Sequence, residues 1–66
     1  MLDQDKLACY RIAIKKVKER GYPLTKDRIW DQYVNIALYS GIRDLLSKHR
    51  IEPYLDYLRQ EGECEL

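Results

Sequence analysis

The chain is poor in the residues from which most catalytic and cofactor sites are built. Its 66 residues include no Phe, one Trp, one Met, one His, two Cys, two Pro and three Gly. Three scattered glycines do not form a Gly-rich loop of the kind that cradles phosphate on backbone N–H groups. Zinc needs about four ligands at recurring spacings, and Cys9, His49 and Cys64 do not make such a set. The acidic residues are mostly single and spread out, unlike the clustered oxygens of a calcium loop. His49 has no nucleophile or carboxylate at a spacing that would make it a general base. Beside Lys48 and Arg50 it reads instead as a residue favoured by a helix C-terminus. The expectation is a protein that is not an enzyme and carries no cofactor and no metal.

Long hydrophobic runs are missing as well. No segment approaches the roughly 20 apolar residues of a bilayer span. The opening MLDQDKLACYR has no charged stretch followed by an apolar one, so it does not read as a signal peptide. The expected location is cytoplasmic, where a reducing medium favours Cys9 and Cys64 as two free thiols over a bridge. Charge of one sign is lacking too. A net charge of +1 argues against a wholly basic nucleic-acid protein. Nothing alternates with period two for long enough to suggest a strand.

What remains is globular in composition, with 45% apolar and 35% charged residues. The length fits a single domain, residues 1–66. At this size a core is marginal, and a second subunit is a common support. Charge is unevenly distributed. From Lys6 to Arg28 eight basic residues face two acidic ones, whereas from Ile51 to the end five acidic residues face only Arg59. Such asymmetry serves an acidic partner or lets the acidic end lie against the basic face.

Helical periodicity runs through the whole chain. Over residues 3–20, Leu7, Cys9, Tyr10, Ala13, Ile14 and Val17 share an arc of about 160°. Asp3 and Asp5 lie at its start, and Lys15, Lys16, Lys18 and Arg20 crowd its end, as the helix dipole favours. Gly21 and Tyr22-Pro23 stop it. On the opposite, charged face lies one apolar residue, Ile12, flanked in projection by Arg11, Lys15 and Lys16. Residues 24–50 form the structural middle. Thr25 is a good N-cap, with Leu24 and Ile29 placed as a hydrophobic staple. Ile29, Trp30, Tyr33, Ile36 and Ala37 then make one stripe. Leu38, Ile42, Leu45 and Leu46 make another, about 140° away. The segment is expected to be one long central helix buried on two sides, or two helices broken near Gly41. A last short helix begins around Pro53, buries Ile51, Tyr54, Leu55 and Leu58, and ends at Gly62. Residues 62–66 are expected to be a frayed acidic tail.

Ile36, Ala37, Gly41 and Ile42 have the apolar-Ala-x-x-x-Gly-apolar look of a helix-turn-helix, and this stretch resembles that family over about twenty residues. The resemblance implies that Arg43, Ser47 and Lys48 face the major groove. The positions five and eight after Ile42 should then be apolar; they are Ser47 and Arg50.

Tyrosine is the compositional oddity, with six residues and no Phe. A ring with a hydroxyl suits half-buried positions and interfaces. Tyr39 and Tyr57 fall off the main stripes of their helices, as Ile12 does. With Trp30 they suggest more apolar surface than one small core hides. The chain is therefore expected to be an all-α domain of three or four helices and a non-enzymatic protein–protein interaction module. An adaptor, regulator or inhibitor that forms a homodimer fits this description. Its partner-binding candidates are Arg11, Ile12, Lys15, Lys16, Trp30, Tyr39 and Tyr57. The alternative is nucleic-acid binding through the basic region between Lys6 and Arg28, or through the helix-turn-helix. It would use Lys15, Lys16 and Lys18 on phosphates, and Arg43 and Lys48 in the groove.

Overall fold

The computed structural model describes residues 2–64. Three α-helices follow one another: α1 (Gln4–Glu19), α2 (Lys26–Tyr39) and α3 (Glu52–Gln60), with a single 3-10 turn at Lys48–Arg50. No strand occurs among the described residues, as the lack of period-two alternation predicts. None of the helices is long and apolar enough to cross a membrane.

Helix α1 starts where its first N–H groups find an acceptor. The Asp3 carboxylate accepts from Asp5 N–H at 2.9 Å and from Lys6 N–H at 3.2 Å, the usual role of an N-cap acid. All six apolar residues of the expected arc are buried. The chain then reverses after Arg20, and α2 returns antiparallel to α1. Cys9 and Ile12 near the middle of α1 thus share a groove with Ser40 and Ile42 just past the end of α2. Helix α2 is capped as expected, with Thr25 Oγ1 accepting from Arg28 N–H at 3.3 Å. Ile29, Tyr33 and Ala37 of its stripe are buried, and Trp30 and Ile36 are half-buried.

The central segment departs from the expectation. The break near Gly41 is present, but no second α-helix follows it. Gly41 adopts φ +83°, a left-handed conformation in which a side chain is strained. Its N–H donates to Leu38 O at 3.1 Å, and Ile42 N–H donates to Ala37 O at 2.9 Å, the paired bonds of a Schellman closure. Residues 42–47 are irregular. Ile42, Leu45 and Leu46 still pack partly against the core, so burial is achieved without a helical stripe. Leu38 is left 55% exposed. This also corrects the helix-turn-helix: the recognition helix is absent, Arg43 lies in a loop and Lys48 in the 3-10 turn.

Helix α3 buries Ile51, Tyr54, Leu55 and Leu58 as the i, i+3, i+4, i+7 spacing requires. Past Gly62 the first residues of the acidic tail make contacts with the fold. Glu63 N–H donates to Leu58 O at 2.8 Å, the Glu63 carboxylate meets Arg11 Nε at 3.0 Å, and Cys64 is buried. Residues 65–66 lie outside the described residues. The tyrosines divide evenly. Tyr10, Tyr33 and Tyr54 form the aromatic centre of the core, where Phe would otherwise serve, whereas Tyr22, Tyr39 and Tyr57 stay exposed.

Candidate interaction surface

Internal pairing removes several basic residues from the list of surface candidates. Lys6 Nζ reaches Asp44 at 3.1 Å, Arg11 pairs with Glu63, Lys26 Nζ meets Glu52 at 2.9 Å and Lys48 Nζ meets Asp27 at 3.0 Å. Two of these pairs join the basic first half to the acidic end of the chain, so the charge asymmetry is used partly within the fold. The hydrogen bond that Lys6 donates to Asp44 raises the Lys6 pKa, against the opposing effect of burial, with the Asp44 and Asp3 charges adding to it. Lys15 and Lys16 are exposed with no ion pair among the described residues, and Lys18 and Arg43 are exposed too.

Trp30 is likewise engaged internally. Its Nε1–H donates to Leu46 O at 3.0 Å, and the Leu46 N–H donates to Tyr33 Oη at 3.3 Å. Two aromatic side chains of α2 thus satisfy both backbone groups of one residue in the irregular segment, which would otherwise be half-buried and unpaired. Lys48 Nζ stands 5.5 Å from the centre of the Trp30 ring. The indole therefore belongs to the fold more than to a free surface. Beside it a polar cavity of about 450 Å³ is lined by Tyr22, Asp27, Arg28, Trp30 and Lys48 among others. Its two cations are engaged within the fold, with Arg28 stacked 4.3 Å over Tyr22 and Lys48 held by Asp27.

Ile12 behaves differently. It is 46% exposed and lines a shallow groove of about 370 Å³ with Asp5, Ala8, Cys9, Ser40 and Ile42. The groove runs between the outer face of α1 and the closing turn of α2, where Leu38 and Tyr39 are 55% and 95% exposed. Sequence periodicity singles out Ile12 and Tyr39 as off-stripe residues, but it puts Ile42 on a core stripe and does not single out Ala8 or Ser40. The signal for Ala8 is the spacing 5, 8, 12, 15, which alternates three and four and so marks one narrow stripe of a helix. Ser40 and Ile42 join the groove only because α2 returns antiparallel and stops at Gly41. Burial, helped by the charges of Asp5 and Asp3, pushes the Cys9 thiol up, so the groove holds a protonated, weakly nucleophilic sulfur. Cys64 is buried and free as well. Tyr57, 37% exposed, sits on α3 outside the groove.

Among the described residues no cluster of three or more Cys, His, Asp or Glu side chains is placed to hold a metal ion. No protein-family model, curated protein or solved structure matches the chain.

Proposed function

We propose that the protein is a small helical interaction module without chemistry of its own, a regulator or adaptor that works by docking its α1 outer face and the closing turn of α2, and that it self-associates. The observation that carries this reading is Ile12. The core is complete without it, yet it stands half exposed beside Ala8 and Ile42 in an apolar groove. Isolated apolar surface residues are common, but a groove lined by several of them marks a binding surface. The adjacent exposure of Leu38 and Tyr39 extends the apolar surface. Sedimentation equilibrium over a wide concentration range tests the reading: a mass that rises toward the dimer supports it. A strict monomer up to millimolar concentration counts against self-association.

Nucleic-acid binding is the second reading, and the exposed Lys15 and Lys16 favour it. Glu19 and Glu63 line the same surface depression as Lys15, so the basic patch is interrupted and its phosphate field weakened. A titration with duplex and single-stranded DNA at low salt decides. Binding that falls steeply as salt rises supports this reading, and no binding removes it.

A further inference from the structure

Resting on the reading of the protein as a self-associating module, we propose that the groove beside Ile12 is occupied by a second copy of this chain, with the two α1 helices antiparallel and Asp5 of each copy paired with Lys15 of the other. The inference comes from the order of residues along the exposed stripe of α1, which runs Asp5, Ala8, Ile12, Lys15 and ends at Glu19. In an antiparallel helix pair related by a two-fold axis, opposed residues have numbers with a constant sum. The axis that sets Ala8 opposite the partner's Ile12 therefore sets Asp5 opposite the partner's Lys15 and Gln4 opposite the partner's Lys16. The centre of the contact is small against large, so the helices approach closely and each Ile12 fills the groove lined by Ala8, Cys9, Ser40 and Ile42. The ends are acid against base, twice over.

Other arrangements lose this match. A parallel pair sets Asp5 on the partner's Asp5 and Lys15 on the partner's Lys15. A two-fold axis through Ile12 itself sets Asp5 opposite the partner's Glu19. Like charges in direct opposition disfavour both. The charge order thus selects one register, in the way flanking charges select partner orientation in coiled coils. One helix face buries less than the ~1,200 Å² of a stable complex. The dimer is accordingly an exchanging one, with a dissociation constant between about 10 μM and about 1 mM.

The test is charge exchange read by sedimentation equilibrium, with far-UV circular dichroism confirming that each variant keeps its helices. Asp5→Lys and Lys15→Asp each place like charges opposite one another at both ends, and each is expected to weaken dimerisation by about 10-fold or more. Mixing the two variants in equal amounts restores association as a heterodimer, because every opposed pair is then acid against base. Lys15→Asp leaves the N-terminal turn of α1 untouched, and Ile12→Asp, at a half-exposed position, removes the central contact by a second route. If both charge variants associate as the parent does, or their mixture fails to associate better than either alone, this register is wrong while self-association stands. If the parent chain stays monomeric at millimolar concentration, the underlying reading fails with it.

Discussion

The rings of Tyr10 and Tyr33 lie parallel, with centroids 4.1 Å apart and 2° between their planes, yet their hydroxyls have different fates. Tyr33 Oη accepts from Leu46 N–H, whereas Tyr10 Oη is buried with no hydrogen-bond partner among the described residues. Burial, with Tyr33 and Tyr54 nearby, pushes the Tyr10 phenol far up, so it stays neutral. A buried hydroxyl without a partner costs stability, and removing it is neutral or favourable. Tyr33→Phe is expected to cost about 1 kcal/mol in urea denaturation, because it orphans a backbone N–H. Tyr10→Phe is expected to leave stability unchanged or to raise it by up to about 1 kcal/mol. An equal loss in both variants would show that the Tyr10 hydroxyl is satisfied in solution.

The tyrosines also show where sequence pattern stops being informative. Tyr10, Tyr33 and Tyr54 sit on apolar stripes, and those stripes identify them as core. That Tyr54 Oη accepts from Asp3 N–H at 3.0 Å, fastening α3 to the start of α1, depends on how the helices cross, which periodicity does not encode. Caps and helix ends were legible because they are local: Asp3, Thr25 and Gly41 act within a few residues. Continuity beyond Gly41 was not, because Ile42, Leu45 and Leu46 are apolar in either a helix or a packed irregular segment. The outer face of α1 was half legible. Ile12 stands out against its charged neighbours, but Ile42 becomes its neighbour only through the antiparallel return of α2. Arg11 and Trp30 looked available in the sequence and are held by Glu63 and Leu46 in the fold.

Glu52 gives the fold a dependence on acid. Its carboxylate accepts a hydrogen bond from Lys26, which lowers its pKa below the ordinary 4.5; burial opposes this, and the charges of Lys26 and Arg59 reinforce it. A depressed carboxyl pKa contributes stability that is present above its unfolded value and is lost as pH falls through the folded value. Between about pH 5 and about pH 3 the parent chain is therefore expected to lose stability faster than Glu52→Gln, which has no such proton to take up. At neutral pH Glu52→Gln is the less stable of the two, and added salt narrows the gap because the group is solvent-accessible. Thermal denaturation across the pH series checks this. Parallel curves for the two proteins would mean that the Lys26 pair contributes nothing.

Trp30 and Tyr33 grip the same residue from its two polar sides, and their effects should therefore be coupled. Trp30→Phe removes the donor to Leu46 O and leaves that half-buried carbonyl without its partner, a loss of about 1–2 kcal/mol. Once one grip is gone, residues 42–47 are already looser, so removing the second costs less than it does alone. The double variant Trp30→Phe with Tyr33→Phe is expected to fall short of the sum of the single losses by at least about 0.5 kcal/mol, as for residues sharing a partner. Hydrogen exchange at the Leu46 amide gives an independent reading, since Tyr33→Phe frees that N–H directly and Trp30→Phe frees it only by loosening the segment. Both variants are expected to speed it, Tyr33→Phe the more. Strict additivity, with the Leu46 amide unaffected by Trp30→Phe, would mean that the segment is held chiefly by its leucines and by the Lys6–Asp44 pair.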